Sequence, residues 1–160
     1  MTQFYSKKVS DIRSAIPNSD KPFDNPVECV SSFTSFQVLN LADLKSIMSD
    51  MKPKGHPYDP APVWLVKDSF DSVAPIFLQV INQSFQQGIF PDSLKHAIIT
   101  PTIKDKHGDR ESFKNYRPVS NLTFLSKILE KCASSQLQDY LNKNNLYPKF
   151  QSAYRKHHSC

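Results

Sequence analysis

The amino-acid sequence predicts an α+β fold, with helices on both sides of a single β-hairpin. Three segments have apolar residues at steps of three and four, which is the spacing of an amphipathic helix. One short run, AIITPTI, is dominated by β-branched residues and leads into a polar loop, which is typical of a hairpin. Of the 160 residues, 39% are hydrophobic and 11% are aromatic, so the chain can form a real core and fits one domain, or most of one.

Residues 1–35 are predicted to form a linker or an extended arm. They are rich in Ser, Asp, Asn and Pro, and their isolated aromatic residues follow no sustained period. A helical region is expected to follow over residues 36–94. Residues 95–160 are expected to contain the hairpin and the longest helix.

The first helix of the helical region is predicted to be short and amphipathic. Its apolar positions recur at three- and four-residue steps, and they are Leu41, Leu44, Ile47, Met48 and Met51. Pro53 and Gly55 are expected to end it. The proline-rich segment PKGHPYDPAPVW then predicts a stiff, extended loop.

The second helix is expected to have Pro75 in its first turn, where the missing amide costs little, and to end at Gly88. Its buried face is predicted to contain Ile76, Phe77, Val80, Ile81 and Phe85. After this helix, Leu94 is expected to add a small apolar contact.

The hairpin is predicted to have strands at residues 97–103 and 116–121, joined by a polar loop at 104–114. The longest helix is expected over residues 123–144. Its buried side is predicted to contain Leu125, Ile128, Leu129, Cys132, Leu137, Tyr140 and Leu141.

The positive charge of the chain is concentrated in its C-terminal part. Residues 1–94 carry 8 Lys or Arg against 10 Asp or Glu, whereas residues 95–160 carry 12 against 5 and hold four of the five histidines. Within the basic part, Lys104 and Arg117 bracket the loop between the two apolar runs. This layout suits a hairpin that closes over a polyanion such as a phosphate-rich partner. Basic surfaces also serve solubility, so a solvated surface stays an alternative.

The cysteines and the apolar runs indicate an intracellular protein, of the nucleus or the cytoplasm. Cys29, Cys132 and Cys160 are odd in number and far apart, which argues against a disulfide framework. No apolar run approaches the length of a membrane span, and the N-terminus lacks the apolar core of a signal peptide. His157, His158 and Cys160 have no second ligand pair at zinc spacing, so no metal site is expected.

From about residue 36 to residue 160, the chain resembles the N-terminal part of the reverse transcriptase of non-LTR (LINE-type) retrotransposons, of the jockey and chicken-repeat kind. The resemblance is carried by three ordered blocks at family-like spacing. They are PKGHPYDPAPVWLVKD, NQSFQQGIFPDSLKHAIITPTIKDK and FKNYRPVSNLTFLSKILEKCASSQLQDYLNKNNLYPKFQSAYRKHHS. The resemblance implies the helical N-terminal extension, the fingers hairpin and the long helix of such an enzyme, with the palm and thumb absent.

The resemblance also implies roles for the two hairpin cations. Lys104 and Arg117 would lie on the two arms of the fingers hairpin and contact the triphosphate of an incoming nucleotide. Charge-assisted hydrogen bonds to phosphate are the stronger class, and a planar guanidinium can engage two oxygens at once. The alternative is that both residues are ordinary solvated charges.

Four more cations occur in blocks that run near the template or primer backbone in this family, and they are Lys127, Lys131, Arg155 and Lys156. Positive charge without base readout is sufficient for such contacts. A solvated basic face is the alternative for all four. The partners implied by the resemblance are an RNA or DNA template-primer and nucleoside triphosphates.

No catalytic residue is expected in this sequence. Polymerases of this family are RNA-directed DNA polymerases that use Mg²⁺ held by palm aspartates, and the Tyr-x-Asp-Asp type of turn that supplies two of these aspartates does not occur here. Asp105, Asp109 and Glu111 are interpreted as solvating charges of the hairpin loop. We therefore expect a truncated reverse transcriptase fragment that has no cofactor of its own and is inactive as a polymerase alone.

Two alternatives to an inactive polymerase fragment stay open. In the first, the basic part still acts as a weak RNA-binding or nucleotide-binding module. In the second, the chain is a vestigial or incomplete gene product without function. Loss of the palm is also expected to leave Ile128, Leu129 and Leu137 partly uncovered.

Overall fold

A computed structural model of the chain describes residues 2–17, 32–148 and 151–153. These residues form five α-helices and one two-stranded antiparallel sheet, which confirms a mixture of helix and strand. The helices are α1 (Thr2–Ala15), α2 (Leu41–Asp50), α3 (Val63–Asp68), α4 (Phe70–Gln87) and α5 (Phe124–Lys143), and the strands are β1 (Ala97–Ile103) and β2 (Tyr116–Leu122). Short 3₁₀ turns at Asp92–Leu94 and Phe113–Asn115 precede the two strands.

The described residues divide into two compact units. Helix α1 and the chain from Ile98 to Asn121 form the hairpin unit. Helices α2 to α5 belong to the helical unit, which consists of the described residues within 27–97 and 122–160.

The core of the helical unit is formed by one group of buried side chains. They are Leu39, Leu44, Met48, Val63, Phe70, Ala74, Ile81, Phe124, Ile128, Leu129 and Cys132. Helix α2 begins after a capping box, in which Asn40 accepts from the N–H of Asp43 and the Asp43 carboxylate accepts from the N–H of Asn40. Burial raises the pKa of the Cys132 thiol to about 11.

The predicted start of helix α4 was wrong. The helix begins at Phe70, so Pro75 lies in its interior and not in its first turn. Pro75 removes a hydrogen bond to the carbonyl of Asp71, and both residues lie on the exposed side, where water can replace the bond. Burial of Phe70 and Ala74 favours the longer helix. The predicted end was confirmed, because Gly88 caps the helix in the left-handed conformation with φ of 65°.

Two side chains predicted to be buried are exposed. Ile76 on α4 is 62% exposed, and Leu137 on α5 is 42% exposed. Of the three side chains expected to be partly uncovered, Leu137 is exposed, whereas the expectation was wrong for Ile128 and Leu129, which are buried in the core. The bounds predicted for α5 differ from the observed ones by one residue at each end, at Thr123 and Asn144, which are its caps.

The extended arm predicted for residues 1–35 was wrong for residues 2–15, which form helix α1. Residues 18–31 of that segment lie outside the described residues. The sequence carries a helical signal here, because Tyr5, Val9, Ile12 and Ile16 are spaced by four, three and four residues. This spacing did not lead to a helix prediction, because the surrounding Ser, Asp and Lys residues give the segment a composition typical of a linker.

The segment before α2 is extended and is held by amide side chains. Asn82 on α4 accepts from the N–H of Leu39 at 2.9 Å and donates to its carbonyl at 3.0 Å. Gln136 on α5 forms the same pair of bonds with Gln37, at 2.7 and 3.0 Å. The two amides thus satisfy backbone groups that have no strand partner.

Asp59 ties the proline-rich loop to the start of α5. One carboxylate oxygen accepts from the N–H of His56 at 2.7 Å, and the other accepts from the N–H of Phe124 at 2.8 Å. Phe124 is the first residue of α5, where backbone N–H groups have no partner within the helix. A carboxylate at this position also interacts favourably with the helix dipole.

None of the described helices has the length and apolar character needed to cross a membrane.

Candidate functional site

The register of the hairpin follows from its hydrogen bonds. The strands are equal in length, and just beyond their ends the N–H of Lys104 donates to the carbonyl of Asn115 at 2.8 Å. In an antiparallel ladder with this pairing, Thr102 lies opposite Arg117.

Strand alternation, continued one residue beyond the end of β1, places Lys104 on the same face of the hairpin as Arg117. Side chains alternate between the two faces of a strand, and Lys104 is two residues from Thr102, the partner of Arg117. The two cations are therefore diagonal neighbours, a relation in which residues are typically about 7–8 Å apart. Both side chains are exposed.

The two cations differ in their partners. The Lys104 ammonium donates to the carbonyl of Lys114 at 2.6 Å across the mouth of the loop. The Arg117 guanidinium makes no hydrogen bond or ion pair with any residue that the structure describes. Arg117 can thus receive an anion without breaking an existing bond, whereas Lys104 must leave a carbonyl.

The acidic residues of the described loop form no ion pair with these cations. Asp105 accepts from the N–H of His107 at 3.0 Å, and Asp109 accepts from the N–H of Glu111 at 2.9 Å. Both carboxylates therefore stabilise turns of their own loop. No ion pair occurs in the described hairpin unit.

The loop has a defined shape held by its own hydrogen bonds. The Asn115 side chain donates to the carbonyl of Asp109 at 2.8 Å, and the Tyr116 hydroxyl donates to the carbonyl of Arg110 at 3.0 Å. The N–H of Gly108 donates to the carbonyl of Asp105 at 3.0 Å, and a Cβ at Gly108 would lie only 3.2 Å from that oxygen. A side chain at position 108 would therefore be a tight fit, and the carbonyl of Asp105 would have to shift slightly to accept it.

Helix α1 contacts the hairpin through its first turn. The Tyr5 hydroxyl donates to the carbonyl of Tyr116 at 3.1 Å, and the Phe4 ring packs on the Phe113 ring with centroids 5.8 Å apart. The contact fixes one end of β2 to a helix that is 111 residues away in sequence.

Both outer edges of the hairpin are interrupted by proline. In the register above, Pro101 on β1 lies directly opposite Pro118 on β2, in a pair whose backbone groups point away from the partner strand. Neither residue has an N–H to offer at its edge.

The described part of the hairpin unit is strongly basic. It holds eight Lys or Arg against four Asp or Glu. Three of the cations are on α1, namely Lys7, Lys8 and Arg13, and the side chains of all three are exposed.

The cations expected near a template or primer backbone are only partly described. Lys127 and Lys131 lie one turn apart on α5 and belong to the helical unit, not to the hairpin unit. The Lys127 ammonium lies 3.5 Å from the carbonyl of Lys54, and the Lys131 side chain is exposed. Arg155 and Lys156 lie outside the described residues.

Side chains of the types that bind metal ions are not clustered in the described part of the chain. No three His, Cys, Asp or Glu side chains lie together within the part of the chain that the structure describes. Asp105 and Asp109 of the hairpin loop each accept a hydrogen bond from a backbone N–H.

The sequence did not indicate two residues that shape this site, Tyr5 and Lys114. The first acts through its hydroxyl on a distant carbonyl, and the second through its own carbonyl. Backbone carbonyls belong to every residue, so no local pattern marks the one that accepts a particular bond.

Comparison with known proteins identifies one similar protein, encoded by a transposon. Over 72 residues, which are 45% of this chain and 5% of the relative, the sequence is 35% identical to the Transposon TX1 uncharacterized 149 kDa protein of Xenopus laevis. No family model matches the chain, and no solved structure matches it. The similarity supports a transposon origin for this sequence.

Proposed function

We propose that the hairpin binds the triphosphate of a nucleotide through Lys104 and Arg117, as the fingers segment of a non-LTR retrotransposon reverse transcriptase. The observation that carries the proposal is the Arg117 guanidinium, which is exposed, has no partner among the described residues and shares a face with Lys104. The similarity to a transposon-encoded protein supports the same origin. The role is one of binding, and it assigns no bond-breaking step to this chain.

The chemistry of the two cations suits a triphosphate. Arg117 can engage two phosphate oxygens with its planar fork, and Lys104 supplies a compact charge on the neighbouring position. Lys104 exchanges the carbonyl of Lys114 for a phosphate oxygen when the ligand binds. A hydrogen bond to a charged acceptor is stronger than one to a carbonyl, so this exchange favours the bound state.

Replacement of Arg117 by alanine is expected to weaken the binding of thymidine triphosphate by about tenfold to a hundredfold, the loss typical of a charge-assisted hydrogen bond. Isothermal titration calorimetry at low salt measures this change. Because the guanidinium makes no hydrogen bond or ion pair with any described residue, the substitution should leave the far-UV circular dichroism spectrum unchanged.

Arg13→Ala is the matched control for this experiment. It removes the same side chain from an exposed position of the same unit, on helix α1. Equal losses of affinity in the two variants would show that Arg117 contributes only as one of many surface charges, and they would contradict the proposed site.

A second candidate function is weak binding of single-stranded RNA, favoured by the excess of basic over acidic residues in the described hairpin unit. Such binding depends on phosphate neutralisation, which releases counterions.

The affinity for single-stranded RNA is therefore expected to fall steeply with salt. If the hairpin unit neutralises about three to five phosphates, the logarithm of the binding constant falls against the logarithm of the salt concentration with a slope of about −2 to −3.5. Fluorescence anisotropy with labelled RNA measures the slope. Lys106→Ala should make it shallower by about 0.7, whereas Lys143→Ala, in the last turn of α5, should leave it unchanged. A slope near zero would exclude this mode of binding.

A further inference from the structure

We propose that Tyr5 on helix α1 is a positioning residue for Arg117, so that the N-terminal helix takes part in triphosphate binding without touching the ligand. This inference rests on the proposed role of Arg117. It goes beyond that role, because it assigns a function to a helix far from the hairpin in sequence.

The contact falls on the peptide group that carries Arg117. The Tyr5 hydroxyl donates to the carbonyl of Tyr116 at 3.1 Å, and this carbonyl and the N–H of Arg117 belong to the same peptide bond. Since the peptide group is planar, a hydrogen bond that fixes the orientation of the Tyr116 carbonyl also fixes the positions of the nitrogen and Cα of Arg117.

The register explains why a helix is needed here. The carbonyl of Tyr116 points away from β1, at an edge that pairs with no further strand among the described residues. The N–H of Arg117 points inward to Thr102. The peptide group is thus held from the inside by the ladder and from the outside by Tyr5.

Two further contacts hold the start of β2 in place around Tyr116. Its hydroxyl donates to the carbonyl of Arg110 in the loop at 3.0 Å, and Phe4, the neighbour of Tyr5, packs on Phe113 at the loop end. The hairpin, its loop and α1 therefore meet one residue before Arg117. A guanidinium that starts from a fixed backbone loses less conformational entropy on binding than one on a mobile strand end.

The test is the substitution Tyr5→Phe, which removes the hydroxyl and leaves the ring and every charge in place. We expect the affinity for thymidine triphosphate to fall about twofold to tenfold in isothermal titration calorimetry, the range for loss of one neutral hydrogen bond. Tyr58→Phe is the matched control, because it makes the same chemical change in the helical unit, where Tyr58 is 73% exposed.

A double-mutant cycle separates positioning from a general loss of folded protein. If Tyr5 acts through Arg117, Tyr5→Phe should have no further effect when Arg117 is already alanine. An equal loss in both backgrounds would show that Tyr5 only stabilises the fold, and it would overturn the inference.

The remaining outcomes keep the inference and the proposed function distinct. If Arg117→Ala weakens binding and Tyr5→Phe does not, the inference is wrong and the proposed function stands. If Arg117→Ala has no effect, both are wrong.

Discussion

Replacement of Ile81 by alanine is expected to lower the free energy of unfolding of the helical unit by about 2–5 kcal/mol, the usual cost of truncating a fully buried aliphatic side chain. Ile81 is 0% exposed and belongs to the core formed by α2, α4 and α5. The free energy of unfolding of a domain is only about 5–15 kcal/mol, so this one substitution removes a large part of its stability. Urea unfolding followed by the fluorescence of Trp64, the single tryptophan of the sequence, measures the effect within the helical unit.

Ile76→Ala provides the matched control for Ile81→Ala. It makes the same substitution on the same helix, so the change in helix propensity is equal, but Ile76 is exposed to solvent. We expect a loss of less than about 0.5 kcal/mol, as for most surface substitutions. Similar losses for the two variants would show that α4 buries a different face from the one described above.

Replacement of Asp59 by alanine is expected to cost about 2–4 kcal/mol of unfolding free energy. The carboxylate satisfies two backbone N–H groups, those of His56 and Phe124, and hydrogen bonds to charged groups contribute about 1.5–3 kcal/mol each. Asp59 is only half-buried, so water replaces part of both bonds in the variant and the expected loss is smaller than their sum. Both ends of the link would be affected, because the proline-rich loop loses its anchor and α5 loses an acceptor at its first turn. Thermal unfolding followed by circular dichroism at 222 nm measures the loss.

Asp68→Ala is the control for Asp59→Ala. Asp68 is exposed at the end of α3, so its removal is expected to change the unfolding free energy by less than about 0.5 kcal/mol. Asp59→Asn keeps the shape of the side chain and one good acceptor. Its loss of unfolding free energy should therefore lie between those of Asp59→Ala and Asp68→Ala. An Asp59→Ala protein as stable as the parent would contradict the double role of this carboxylate.

The elements that the sequence predicted well are those defined by local pattern. Strand β1 has the predicted bounds, and Gly88 ends α4 because an αL position favours glycine. The pattern failed where tertiary contacts outweigh local preference. Pro75 lies inside a helix because Phe70 and Ala74 are buried beside it, and Ile76 is exposed although it lies next to Phe77, which packs on the core.

The candidate site was predictable in its charges but not in its supports. Lys104 and Arg117 are visible as cations on either side of a loop, and strand alternation places them on one face. The bonds that hold the loop and the end of β2 join a side chain to a distant backbone carbonyl, as Tyr5 does with Tyr116. The sequence does not indicate which carbonyl accepts such a bond, because every residue has the same backbone carbonyl and only the folded chain brings one of them near the donor.

The paired prolines of the hairpin have a consequence for the behaviour of the chain at high concentration. A two-stranded sheet has two open edges, and an open edge is a template for strands of other molecules and for fibril growth. At Pro101 and Pro118 an added strand would meet a missing donor midway along either edge, so neither edge can propagate an unbroken ladder. The hairpin can therefore expose Ile99 and Val119 without the tendency to stack into cross-β assemblies that such exposed residues otherwise bring.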